Sequence, residues 1–169
     1  PSDAGFVTAY PCATQPPVAS NLNYDKGVTV ANTATIALGD GAFCVATSTA
    51  VDVVVDLQGW YGSTAGARAV DGVSTRRLLD TRTSTIVDAG KSVSVTVPAS
   101  SAASLTVIST DSRGAGFLTV YACDQSRPST SNVNYVKGQT VANTALVNAL
   151  GSSVCIYTSA ASQIVVDLN

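Results

Sequence analysis

Histidine, methionine and glutamate are all absent from this 169-residue chain, and its 11 acidic residues are all aspartate. Without histidine there is no Ser-His-Asp triad, no Cys-His dyad and no histidine-bearing zinc site. The side chains left for proton transfer are Asp, Lys, Tyr and Cys. The expectation is therefore a protein that is not an enzyme, with no cofactor and no metal site. Charge is scarce as well, at 12% of residues and a formal net charge of -2. A weakly acidic chain is a poor partner for nucleic acid or for an anionic membrane surface. No apolar run approaches the roughly 18 residues of a membrane-spanning helix, so membrane insertion is not expected. The chain opens on Pro1-Ser2-Asp3-Ala4-Gly5 with neither a basic nor an apolar leader pattern, which reads as a removed leader or as a fragment.

What is present is Val, Thr, Ser and Ala, with 46% of residues hydrophobic. Good helix formers are few, and the β-branched content favours strands. The chain also repeats itself. Residues 5–57 and 116–168 align at a constant offset of 111 positions, which superposes Cys12 on Cys123, Asn21 on Asn132, Asn32 on Asn143, Cys44 on Cys155 and Asp56 on Asp167. About half of the aligned positions are identical, and only the turn at Gly39-Asp40-Gly41 is locally shifted. The stretch from 62 to 113 has no second copy. The division that follows is residues 1–61 as the trailing half of a first repeat unit and 62–169 as a complete second unit. A half unit leaves an open sheet edge and a bare apolar face. It is a fragment of an array, or it packs on the other copy, or a neighbouring chain completes it.

Strand signals recur at short intervals with turn residues between them. Strands are expected at 5–10, 20–24, 28–38, 43–47 and 51–57, and again in the second copy. Asp25-Lys26-Gly27 reads as a hairpin turn with Gly27 in the left-handed conformation. In the return strand, Val30, Asn32, Ala34, Ile36 and Leu38 share one face. The fold expected is all-β, an antiparallel β-sandwich built from repeats of about 111 residues with one disulfide per copy. Four cysteines allow three connectivities. The pairing that respects the repeat is Cys12–Cys44 with Cys123–Cys155, each closing about 33 residues and stabilising by roughly 3–4 kcal/mol in the chain-entropy model. Paired cysteines place the chain in an oxidising compartment, extracellular or at a cell surface.

Three groups of residues are candidates for a site. The motif Ser-Asn-x-Asn-Tyr-x-Lys-Gly occurs at 20–27 and 131–138. Its Asn21, Asn23 and Tyr24, and Asn132, Asn134 and Tyr135, can bind sugar hydroxyls and stack on a ring. They can equally hold a turn and satisfy buried backbone, with Asn32 and Asn143. Trp60, in Gly59-Trp60-Tyr61-Gly62, is a sugar platform or a packing plug between units. In RRLLDTR (76–82), Arg77, Asp80 and Arg82 suit a structural ion pair with Asp56 or Asp167. Calcium at Asp40, Asp52 and Asp56 is a weaker reading because no known loop spacing is present. An isopeptide crosslink at Lys26 or Lys137 fits poorly with turn positions.

RLLDTR, then G-F-x-T-x-Y-x-C, SNxNYxxGxTVANTA and VVDLxGWY together resemble a repeat module of secreted and cell-wall-associated actinobacterial proteins. There it recurs in tandem or is appended to extracellular hydrolases. The resemblance covers nearly the whole chain and implies an extracellular, non-catalytic β-domain. The function expected is a structural or adhesive repeat protein, a building block of a cell-surface array or fibre. It would associate with copies of itself by strand complementation. The alternative is a carbohydrate-binding module attached to a secreted enzyme, with a cell-wall or other polysaccharide as partner.

Overall fold

The computed structural model describes residues 1–62, 74–98, 102–149 and 151–169. The chain is all-β with antiparallel sheets and divides into two units, Pro1–Val55 and Asp56–Asn169. The first unit holds β1 (Gly5–Pro11), β2 (Leu22–Tyr24) and β3 (Phe43–Thr47) in one sheet of order β2-β1-β3.

The second unit holds β4 (Arg76–Asp80), a 3-10 turn (Thr81–Thr83), β5 (Lys91–Thr96), β6 (Ala102–Thr110), β7 (Gly116–Ala122), β8 (Val133–Tyr135), β9 (Val141–Asn148), β10 (Ser153–Thr158) and β11 (Gln163–Leu168). They form two four-stranded sheets, β5-β10-β7-β8 and β4-β11-β6-β9. Burial alternates along β6, β9 and β10, which gives each sheet an apolar face. Leu118, Val133, Val154 and Ile156 from the first sheet meet Leu105, Val107, Ile164 and Val166 from the second in one core. All eight are at most 1% exposed. Burying such a side chain contributes roughly 1.5–3 kcal/mol, so this core dominates the stability of the second unit.

Two sequence expectations are corrected. Gly27 and Gly138 do adopt the left-handed conformation, at φ +72° and +73°. The turn they close is nevertheless no hairpin. β8 pairs with β7 and β9 pairs with β6, in the other sheet. The turn carries the chain from one sheet to the other, which spacing alone does not distinguish from a hairpin.

The second correction concerns residues 28–38 and 51–57, which form no strand, the single bridge of Gly39 to Ala42 lying just beyond the first of them. Their counterparts are β9 and β11, and both of those pair with β6. A strand needs a neighbour to satisfy its backbone. The first unit's sheet holds only β1, β2 and β3, with no counterpart of β6, so these segments join no sheet ladder although their sequence is strand-like.

Candidate functional site

The Asn-Tyr motif is an internal latch. In the second unit the Asn132 side-chain oxygen accepts from Val120 N at 2.7 Å, and Asn143 Nδ2 donates to Asn132 O at 2.7 Å. The Tyr135 hydroxyl lies 2.7 Å from Thr158 Oγ1 and donates to Ala160 O at 2.9 Å. The first unit repeats the scheme. Asn21 accepts from Ala9 N at 2.7 Å, Asn32 donates to Asn21 O at 2.5 Å, and the Tyr24 hydroxyl lies 2.9 Å from Thr49 Oγ1. Thr8 and Thr119 complete it by donating to Ala19 O and Thr130 O. These bonds tie the disulfide-bearing loop onto its sheet, where no ladder partner reaches.

Tyr24 and Tyr135 are 7% and 3% exposed. They therefore present no ring face to a ligand, and the expected stacking surface does not form there. Asn21 and Asn132 are spent on backbone. Asn23 and Asn134 lie on the other face of their strands, exposed and half-buried respectively. Trp60 is 77% exposed, with Tyr61 beside it also exposed.

RRLLDTR is a clamp, and each residue of its second half has a task. Arg77 grips Asp167 through two bonds, Nε to Oδ1 at 2.8 Å and Nη2 to Oδ2 at 3.0 Å. Asp80 caps the 3-10 turn by accepting from Arg82 N, and also receives the Arg82 guanidinium at 2.8 and 2.6 Å. Thr81 Oγ1 accepts from the buried Ile164 N at 2.8 Å and donates to Gln163. It thereby satisfies β11 beyond the end of β4. Leu78 and Leu79 pack against the core. Among the described residues no ion pair includes Asp56. Its counterpart Asp167 takes Arg77. The expected ion pair is thus present at Asp167 and lacking at Asp56.

Hydrogen bonding from Arg82 lowers the Asp80 carboxyl from an ordinary 3.8 to about 2, and Arg77 lowers Asp167. A depressed carboxylate adds stability above its unfolded pKa, and that stability is lost as pH falls through the folded value. The clamp should hold at pH 4 and weaken toward about pH 2. Carboxyl chemical shifts followed by acid titration check this. Asp80→Asn should flatten the acid limb of a melting-temperature profile.

The disulfides join Cys12 to Cys44 and Cys123 to Cys155, with Cα separations of 4.8 and 5.0 Å. They indicate an oxidising, extracellular-type environment. Among the described residues no helix is long and apolar enough to cross a membrane. Asp40, Asp52 and Asp56 do not gather into a group able to hold a metal ion. Lys26 and Lys137 are exposed on their turns.

Two features escaped sequence reasoning. Arg127 stacks over the Tyr157 ring at 4.1 Å, with Phe117 beside it at 6.0 Å. The first unit has Pro16 and Ala46 at those positions, so comparison of the copies could have flagged the pair. In the second unit a groove of about 300 Å³ is lined by Asp56, Gln58, Tyr121, Gln125 and Leu146. There Gln58 Oε1 accepts from Leu146 N on the outer edge of β9, at 2.7 Å.

The most distinctive surface lies in residues 51–57. Val53, Val54, Val55 and Leu57 are 45%, 85%, 58% and 78% exposed. Their counterparts Ile164, Val165, Val166 and Leu168 are at most 4% exposed. An apolar run of this kind marks an interaction site far better than scattered apolar residues do. No protein-family model, no curated protein and no solved structure matches this chain.

Proposed function

We propose that this is a non-enzymatic extracellular structural or adhesive repeat protein, each full unit a β-sandwich of about 111 residues. In this reading it is the building block of a cell-surface array or fibre, assembled by strand complementation between subunits. The observation that carries the reading is the exposed apolar segment 53–57, matched in sequence to β11, a strand flanked on both sides in its sheet. A segment with that composition gains stability by acquiring neighbours, and main-chain hydrogen bonds supply the affinity when it does. Asp80 and Asp167 share Arg77, and Asp80 also binds Arg82. That favours a structural role for them over acid-base work. The resemblance to secreted actinobacterial repeat modules fits the same reading.

The second reading is a carbohydrate-binding module, and exposed Trp60 and Tyr61 favour it. Light scattering on non-reduced material separates the two. Strand complementation predicts a mass well above 17.0 kDa that rises with concentration. A monomer at every concentration would set assembly aside and leave polysaccharide binding through Trp60.

A further inference from the structure

The outer face of the sheet β5-β10-β7-β8 carries side chains that the latch does not use. Phe117 on β7 and Tyr157 on β10 stand diagonally across two paired strands, their ring centroids 6.0 Å apart and their planes tilted by 44°. Neither ring covers the other, and both are half-buried. Asn134 on β8 is directly opposite Phe117, and Ser92 on β5 directly opposite Tyr157, so all four share this face. Arg127, from the disulfide-bearing loop, lays its guanidinium over the Tyr157 ring at 4.1 Å. Stacking fixes the plane of the guanidinium and leaves its N–H edge free. Among the described residues Arg127 has no acidic partner, since the ion pairs join only Arg77 and Arg82 to Asp80 and Asp167. The Asn134 amide and the Tyr157 hydroxyl likewise make no hydrogen bond among the described residues.

Holding the loop down does not require the stacked pair. The first unit ties its own loop with the same bonds, through Thr8, Asn21 and the Cys12–Cys44 bridge. It does so with Pro16 in place of Arg127 and Ala46 in place of Tyr157, while Phe6 and Asn23 match Phe117 and Asn134. The cation and its ring are additions to a scaffold that closes without them.

We propose that this face of the second unit binds an acidic polysaccharide, one built from uronic acids. The uronate carboxylate takes two N–H donors of Arg127 in the bidentate geometry. The sugar ring rests on Phe117, and its hydroxyls reach Asn134 and the Tyr157 hydroxyl, which both donate and accept. Charge complementarity selects the anion. The surface itself selects a sugar over an acidic peptide. β7 and β10 are flanked on both sides, so their main-chain groups are spent in ladders and a peptide finds no strand edge on this face. Ser92 and Ser94 continue the face as exposed side chains on β5, which lets a polymer run on beyond one sugar. The site lies wholly within the second unit and goes beyond the assembly reading, on which it does not depend.

The test titrates oligogalacturonate, its fully methyl-esterified form and a poly-aspartate peptide of equal charge into the full non-reduced chain, followed by backbone and arginine side-chain NMR. Oligogalacturonate should saturably shift Arg127, Phe117, Asn134 and Tyr157 and leave Phe6 and Asn23 unmoved. The neutral ester should bind about tenfold more weakly, because the charged hydrogen bonds are lost. Arg127→Ala should weaken oligogalacturonate by the same factor. Arg127→Lys, which keeps the charge but not the planar fork, should weaken it as well. Arg76→Ala removes the same charge from the other sheet and should change the affinity little. Equal binding of acid and ester would overturn the proposal, and so would undiminished binding by Arg127→Ala. Equal losses in Arg76→Ala and Arg127→Ala would reduce the effect to net charge and overturn it too. Tighter binding of the peptide at these residues would assign the cation to an acidic protein partner instead. No saturable shift with any of the three would remove the site. Amide protection of β7 and β10 checks that each variant is folded; if Arg127→Ala disturbs the sheet, the comparison of acid with ester on the unmodified chain still decides.

Discussion

Reduction of the disulfides is expected to unfold the first unit while the second survives. The Cys12–Cys44 bond ties the end of β1 to β3 in a unit whose buried residues are few, chiefly Thr8 and Tyr24. Three strands with so thin a core are marginal in water. Losing a crosslink across about 33 residues costs roughly 3–4 kcal/mol, more than such a unit holds. The Cys123–Cys155 bond closes a loop of the same length, and β7 and β10 share a ladder as β1 and β3 do, but their sheet also packs into a large shared core. With a stability of about 5–15 kcal/mol typical of a packed domain, the second unit should remain folded at 25 °C. Amide exchange after reduction should show β1 to β3 unprotected and β6, β7, β10 and β11 protected. Retained protection in β1 would contradict the expectation.

Gly116→Ala should destabilise the second unit by about 3 kcal/mol, lowering its melting temperature by roughly 12 °C or more. An added Cβ would lie 2.7 Å from Ser159 Oγ, 2.8 Å from the Tyr135 hydroxyl and 3.0 Å from Ala160 Cβ. Both oxygens are engaged. Ser159 Oγ accepts from Phe117 N at 2.8 Å, and the tyrosine hydroxyl is bonded to Thr158 and Ala160. The methyl group must therefore displace a satisfied network, and buried polar atoms lose their partners. Gly138→Ala is the contrast. It has open space around it but a φ of +73°, so only the conformational penalty of about 1 kcal/mol applies. Tyr135→Phe added to Gly116→Ala should cost less than the sum of the two changes, because removing the hydroxyl makes room. Thermal melts of the four variants decide it. Additive losses would mean that the clash is relieved elsewhere.

Much of this latch was legible in the sequence, and its limits are instructive. The 111-position offset located both cysteine pairs and both Asn-Tyr motifs. The all-β composition gave the strands, and Arg77, Asp80, Arg82 and Asp167 were singled out together. Two-residue periodicity marked residues 28–38 and 51–57 as strands as firmly as it marked β9 and β11. It could not reveal that pairing depends on β6, a partner distant in sequence, because periodicity reports which face is apolar and not which neighbour exists. The destination of the chain after Gly138 was hidden for the same reason. Tyr135 offered no sign of which way it faced, since a tyrosine suits a sugar platform and a buried hydroxyl anchor equally well.

The pairing of β4 with β11 has a mechanical meaning. Arg76 lies opposite Leu168, so β4 begins beside the point where β11 ends. Tension applied to both would pull across the ladder rather than along it. The hydrogen bonds would then open one pair at a time from the Arg77–Asp167 end, at low force, and would close again when slack returns. The disulfide sets a stop on that motion. The Cys123–Cys155 loop spans a sequence separation of 32 and cannot pay out, so about 110 Å of contour length is withheld at about 3.4 Å per residue. A tether made of such units would yield early under load, extend by a bounded amount and recover its folded length.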